Sequence, residues 1–291
     1  MLKFADCNMA VGQPNAISGW RIYDSAQIAC QAQRCGIQKG LAFCNAALDL
    51  HPLDGNAEMC LICRREPFYL PVWMVMPNHT GEFWNVDELE RRMRLADVRA
   101  VRLAPKYNVL GYSLRDWCSG ELLDMLERTG TLALMDADQS DWETVHAVCC
   151  EHPGLKLVIT NLYYRHARYI FPLLRQHPRL YLETSGLKSF CLLQTLCEKV
   201  GAEKLLFGSN LGTFSPGSAV CLVSYACISE NEKEAIAARN LEALLERKLV
   251  DCNGTRTNAG AGRAQRRDAD RRICGGLPHA QRPRGQILQP V

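Results

Sequence analysis

Eight short runs of apolar and β-branched residues recur along the first 250 positions, each followed by a stretch whose apolar residues fall at helical spacing. This alternation restricts the fold more than any other feature of the chain. The runs are LKFAD, ending at Asp6; IQKGLAFCN, ending at Asn45; FYLPVWMVM; VRAVRLAP, ending at Pro105; TLALMD, ending at Asp136; KLVITN, ending at Asn161; RLYLET, reaching Glu183 and Thr184; and EKLLFGSN, ending at Asn210. Helices are expected near residues 24–34, 56–65, 86–95, 114–128, 141–151, 164–176 and 187–200, with closing helices at 216–226 and 230–245. Ser113 stands where an N-cap would precede the fourth of these, and Gly130 where it would stop. Strands alternating with helices imply right-handed βαβ units and a parallel sheet. Eight units in about 250 residues imply a closed (β/α)8 barrel, a TIM barrel. An open doubly wound sheet would call for a glycine-rich phosphate turn. No G-x-G-x-x-G follows the first strand, and no G-x-x-x-x-G-K-[ST] occurs.

The barrel is expected to fill residues 1–249 as one domain. Residues 250–291 differ, being rich in Arg and Gly with few large apolar residues, and are expected to be a disordered tail. Charge follows the same division. Eight arginines and three aspartates lie from Asp251 onward, so of 34 basic and 31 acidic residues the remainder keeps 26 and 28. A barrel with that balance has no basic excess for nucleic-acid binding. No run of 18 apolar residues suggests a membrane span, and the first residues lack the pattern of a signal peptide, so a cytoplasmic location is expected. The 15 cysteines, many inside apolar runs, read as free thiols in a reducing compartment. Cys60 and Cys63 form a C-x-x-C without a second pair, and their spacing suits one face of a helix, so no metal or redox role is assigned to them.

Barrel sites lie at the carboxyl ends of the strands. There the sequence offers Asp6 and Asn8, Asn45, Arg102 and Lys106, Asp136 and Asp138, Asn161 with Tyr164 and Arg165 behind it, Glu183 with Thr184 and Ser185, and Ser209 and Asn210. Carboxylates, amides and cations converging on one mouth suit a small polar ligand. None of the seven histidines falls at a strand end. All are read as surface or helix histidines and none is assigned to a metal.

The runs GLKLVITN, HPRLYLETSG, GAEKLLFGSN and SENEKEAIAARNLEALL, in that order and spacing, resemble the amidohydrolase-related family of metal-dependent hydrolases. ADCNMAVG stands where that family has D-x-H-x-H-x-G, a weaker match. The resemblance implies a barrel with hydrolase-type chemistry, but several family positions differ. Asn8 and Ala10 stand at the two N-terminal histidines, and the strand-five ligand position falls near Asp136. Asn161 stands at the strand-six histidine and Asn210 at the catalytic aspartate. Asparagine carries no charge and cannot take up a proton at neutral pH.

Three readings stay open: a metal-free relative that binds a small polar or acidic molecule; a remodelled hydrolase or decarboxylase using carboxylates with no metal or with a hard metal; and ordinary zinc hydrolysis with other ligands. The candidate catalytic carboxylates are Asp6, Asp136 and Glu183. The candidate ligand-binding residues are Asn8, Arg102, Lys106, Asp138, Asn161, Arg165 and Asn210. No cofactor, nucleic acid or membrane is expected as a partner. A homo-oligomer is compatible with such a chain.

Overall fold

Parallel strands β1 (Phe4–Val11), β2 (Ile37–Cys44), β3 (Tyr69–Val75), β4 (Ala100–Leu103), β5 (Leu132–Asp136), β6 (Lys156–Thr160), β7 (Leu180–Glu183) and β8 (Leu205–Leu206) follow one another round a single sheet in chain order. The sheet returns on itself where Cys7 N donates to Phe207 O at 2.9 Å and Ala10 N to Leu211 O at 2.9 Å, with Met9 bridged in parallel to Leu211. The protein is a (β/α)8 TIM barrel. The computed structural model describes residues 2–12 and 24–246, which belong to one compact unit. The tail expected at 250–291 lies outside the described residues.

The helices are α1 (Ser25–Arg34), α2 (Ala46–Asp49), α3 (Pro52–Arg65), α4 (Val86–Leu95), α5 (Asp116–Thr129), α6 (Trp142–Glu151), α7 (Ala167–Gln176), α8 (Leu192–Val200), α9 (Pro216–Ser224), α10 (Glu230–Glu234) and α11 (Asn240–Leu245). Caps set several starts: Asp24, Asn85 and Asp141 accept from the backbone N–H three residues on, at 3.0, 2.9 and 2.8 Å. Gly130, at φ +64°, ends α5 in the left-handed conformation that glycine adopts most readily.

Strand alternation sorts the core into two layers. Leu41, Val72, Met74, Ala100, Leu132, Leu134, Val158 and Leu206 fill the barrel. Phe4, Val101, Leu103, Met135, Ile159 and Leu182 pack outward against the helices. No helix among the described residues is long and apolar enough to cross a membrane.

Some elements depart from the sequence expectation. Helix α5 begins at Asp116, and the Ser113 hydroxyl accepts from Arg115 N at 3.2 Å instead of capping a helix from 114. Residues 164–166 form a 3₁₀ turn ahead of α7. Residues 187–191 are not helical. A Cβ at Gly186 would stand 2.1 Å from Leu162 O, so the chain after β7 presses against the end of β6 and turns before α8 can start. Strand β8 holds only two residues because the next amides are used elsewhere: Phe207 N donates to Ile236 O at 2.9 Å, Gly208 N to Thr184 Oγ1 at 3.2 Å and Ser209 N to Asp6 Oδ1 at 3.1 Å. Between α10 and α11, Ala235–Arg239 forms a π-helical turn.

The amino end of the barrel is closed by α11, whose Leu241, Leu244 and Leu245 join the interior cluster. Its last carbonyls are met by cations: Lys156 Nζ donates to Leu244 O at 2.7 Å and Arg99 Nη1 to Leu245 O at 3.3 Å.

Candidate functional site at the barrel mouth

The residues at the carboxyl ends of the strands hold one another in a continuous hydrogen-bond network. Arg102, two places after Ala100 on β4, points into the barrel and is buried. Its Nη2 meets Asp136 Oδ1 from β5 at 2.5 Å and its Nη1 donates to Asn8 Oδ1 at 3.2 Å. Phe43 of β2 lies across its other face, with the guanidinium carbon 4.7 Å from the ring centre.

Asn161 is the hub of the network. Its Nδ2 donates to Asp136 Oδ1 at 2.6 Å, while its Oδ1 accepts from Asn210 Nδ2 at 2.6 Å and from Asn8 Nδ2 and Ser185 Oγ at 3.3 Å. Asn161 and Asn210 both sit at positive φ, +54° and +51°. Asparagine tolerates this region better than other residues with a Cβ, and such strain concentrates at functional sites.

Glu183 is fully buried. Its carboxylate accepts from Asn8 Nδ2 at 3.2 Å, Asn161 N at 3.2 Å, Ser185 Oγ at 2.8 Å and Ser185 N. Gly208 makes room for it, since a Cβ there would stand 2.3 Å from Glu183 Oε1. Asp6, also fully buried, accepts from Asn8 N at 2.9 Å, Ser209 N at 3.1 Å and the Ser209 hydroxyl.

The three carboxylates differ in proton affinity. Burial pushes Asp6 up to about 7 against the pull of the Ser209 and Asn8 bonds, and the nearby Glu183 charge adds to the rise. Burial likewise raises Glu183 above the usual carboxylate range. At Asp136 burial acts in the same sense, but the Arg102 charge and the Thr160, Arg102 and Asn161 hydrogen bonds outweigh it, so this carboxyl lies below its usual value. At neutral pH the mouth therefore holds an ionised Asp136 on a fixed guanidinium, beside an acid that titrates near neutrality.

Of the residues singled out in the sequence, Asn8, Arg102, Asp136, Asn161, Glu183 and Asn210 are brought together directly, and Asp6 joins through Asn8 N and Ser209. Lys106 and Asp138 pair with each other on the exposed rim at 2.9 Å. Arg165 stands apart: it bonds Tyr164 Oη at 3.0 Å and lies over the ring of the same residue. Two further participants are not among the strand-end candidates. Thr160 donates to Asp136 at 2.5 Å, and Phe43 stacks on Arg102. Both follow from strand alternation, Thr160 two places after the inward Val158 and Phe43 two after the inward Leu41. Ser185 and Ser209, noted at strand ends without a role, carry the bonds to Glu183 and Asp6.

No histidine bonds to this network among the described residues. His51 caps α3 through Nδ1, accepting from Leu53 N at 3.2 Å, and His79 meets Cys118 O at 2.7 Å. The expectation that all histidines are surface or helix residues is corrected at His152 and His177. Both follow helices at the amino end of the barrel, and both are buried because the chain turns inward there to begin β6 and β7.

A separate cavity of about 470 Å³ lies between the loops after β3 and β4, with Met76, His79, Leu110, Tyr112 and Trp117 among its walls and none of the network residues.

A closed parallel barrel with polar groups gathered at the carboxyl ends of its strands is the architecture of a large class of enzymes and binding proteins. A family model described as Amidohydrolase matches residues 56–247, and the chain belongs to that family. None of the curated proteins matches it. Among solved structures, the fold is similar to 5-carboxyvanillate decarboxylase LigW from Sphingomonas paucimobilis, with 13% identity, a TM-score of 0.64, and 84% of this chain and 99% of that one covered. A dihydroxybenzoic acid decarboxylase from a Polaromonas species, holding manganese and 2-nitroresorcinol, aligns with 13% identity and a TM-score of 0.64 over 84% and 97% of the chains. A probable 2-pyrone-4,6-dicarboxylic acid hydrolase from Acinetobacter baumannii, with citric acid bound, aligns with 14% identity and a TM-score of 0.62 over 84% and 99%. At such identities the likeness is one of fold.

Proposed function

We propose that the mouth binds a small carboxylic or other acidic molecule, with the Arg102 guanidinium supplying the positive charge that metal ions supply elsewhere in the family. The carrying observation is the pairing of the buried Arg102 with the partly exposed Asp136, surrounded by amides at positions 8, 161 and 210. A borderline divalent metal held by imidazole and carboxylate does not fit this donor set. Amide oxygens are weak ligands, no imidazole among the described residues bonds to the network, and Asp136 Oδ1 already accepts from three donors. A guanidinium stays charged at any physiological pH and presents several donors in one plane, so an anion entering over Asp136, Asn161 and Asn210 meets directed N–H groups.

The test is calorimetric titration of the EDTA-treated protein with citrate and with 5-carboxyvanillate, acids associated with two of the structural neighbours. Saturable binding of either in EDTA is the expected result. Binding of neither, or binding only after a divalent metal is restored, contradicts the reading.

One observation favours a second reading, turnover by a remodelled decarboxylase or hydrolase. Asp6 has its proton affinity near neutrality, as proton transfer at the pH of the cell requires. Decarboxylation breaks the carbon–carboxylate bond, leaves the electron pair on carbon and needs a proton delivered there. Asp6 is fully buried and the Ser209 hydroxyl is the side-chain group that bonds it, so a proton from Asp6 would pass through that hydroxyl. Carbon dioxide release from 5-carboxyvanillate that is abolished by D6N supports this reading. Binding without release sets it aside.

A further inference from the structure

A second group of ligand-type side chains lies on the outside of the barrel, towards its amino end. His146 and Cys150 are one turn apart on α6, so they share a face of the helix. His177, the residue that ends α7, stands opposite them. His146 Nδ1 is 2.8 Å from His177 Nε2, and Cys150 Sγ is 3.9 Å from His146 Nδ1. One ligand atom from each of the three residues lies within 4.8 Å of the others.

We propose that His146, Cys150 and His177 bind a zinc ion. With zinc–nitrogen bonds of about 2.0–2.1 Å and zinc–sulfur bonds of about 2.3 Å, a tetrahedron spaces nitrogen from nitrogen by about 3.3 Å and nitrogen from sulfur by about 3.6 Å. The two His146 separations, 2.8 and 3.9 Å, differ from these by about half an ångström or less, and Cys150 Sγ lies within 4.8 Å of a His177 ring nitrogen, so a small rotation of the exposed Cys150 side chain completes the set. Two imidazole nitrogens facing each other at 2.8 Å must share a single proton, and a metal ion accepting both lone pairs replaces that proton. Two nitrogens and a thiolate suit a borderline cation rather than magnesium or calcium.

The frame is rigid where rigidity matters. His177 is buried, its N–H is held by Leu173 O at 2.9 Å, and its carbonyl accepts from Leu180 N at 3.2 Å and Lys204 Nζ at 3.0 Å. His146 is half-buried and Cys150 exposed, leaving the fourth coordination position open to water. The Lys204 ammonium is the nearby charge that opposes a cation, and its hydrogens are engaged by the carbonyls of His177, Pro178 and Leu180. An ion here ties the carboxyl-terminal turn of α6 to the entry of β7. The site shares no residue with the mouth, so each proposal stands or falls without the other.

The full chain, reduced and stripped of metal, is titrated with cobalt(II) as a spectroscopic substitute for zinc, and then with zinc in competition. The expected result is a thiolate-to-cobalt charge-transfer band that saturates at one equivalent and is displaced by zinc. Cys150→Ser should abolish the band, and His146→Gln should weaken binding at least tenfold. Both positions are at least partly exposed, so both variants should keep the wild-type circular dichroism. His177→Gln, at the buried position, is read only if it does the same. A band unchanged in both Cys150→Ser and His146→Gln places the cobalt on other residues and overturns the proposal, as does failure of wild type to bind up to millimolar cobalt.

Discussion

The two ends of the barrel meet the same difficulty in different ways. At each, the inward-facing residues must pass from a dry core to water. At the amino end the chain covers the opening with α11, whose three leucines extend the apolar core, and Lys156 and Arg99 satisfy the last carbonyls of that helix. No charged carboxylate is buried in that plug. At the carboxyl end the chain buries Asp6, Glu183 and Arg102 and sets the partly exposed Asp136 against Arg102, braced by amides and hydroxyls, with two asparagines in the left-handed region. A buried ion pair seldom improves stability over apolar residues of the same size. A plug like the one at the amino end would have been the stabler solution, and the acidic ligand proposed for the mouth accounts for the charges at the carboxyl end.

The contrast breaks first at Arg102. Arg102→Met keeps the contact with Phe43 and strands Asp136, and should cost about 3–5 kcal/mol in urea unfolding at neutral pH. Asp136 has a depressed folded pKa, so the pair's contribution is present above the unfolded carboxylate value and is lost as pH falls through the folded one. The deficit of the variant should therefore shrink in acid. A loss below about 1 kcal/mol, the level of an exposed pair, would mean that the pair is solvated.

Leu241→Ala at the opposite end should cost about 2–4 kcal/mol through the cavity it leaves. It should leave binding of an acidic ligand unchanged, and a changed affinity would show that the two ends are coupled. Gly208→Ala pushes a methyl group into the Glu183 carboxylate and should cost about 1–3 kcal/mol. A neutral outcome would mean that Glu183 is free to move.

The smallest effect concerns Asp6. Its folded pKa, about 7, is raised. Its contribution is therefore fully present below the unfolded value and declines until pH passes 7. Between pH 6 and pH 8 this amounts to about 1 kcal/mol. Wild type should lose that much more stability than Asp6→Asn over the same interval. Parallel curves for the two proteins would contradict the assignment.

Much of this was legible in the sequence because the barrel imposes a strict period. Alternating strands announce which residues face inward, and the strand ends named Asn8, Arg102, Asp136, Asn161, Glu183 and Asn210 as neighbours across two hundred positions. What stayed hidden depends on packing between elements. Strand β8 is cut short because the amides of Phe207, Gly208 and Ser209 bond to a helix carbonyl and to side chains of Thr184 and Asp6, which no local propensity records. Arg165 looked like a site residue from its nearness to a strand end, yet the 3₁₀ turn that carries it leaves it on Tyr164. His177 read as an ordinary residue before a proline, and its closeness to His146 appears only when α6 and α7 lie side by side.

The central claim is that the cation of the mouth is a guanidinium belonging to the chain. Calorimetric titration of citrate into Asn210→Asp, with EDTA and then with manganese, tests it against wild type. Asn210 lies at the half-exposed rim; its side chain donates to Asn161 while its backbone carbonyl accepts from Thr213 N and Phe214 N, so the substitution should preserve the fold while adding a negative charge and placing a carboxylate where the family resemblance puts one. The account predicts that wild type binds citrate equally in EDTA and in manganese, and that Asn210→Asp binds at least tenfold more weakly in both. Citrate binding by wild type that requires manganese, or that Asn210→Asp strengthens in its presence, would contradict it.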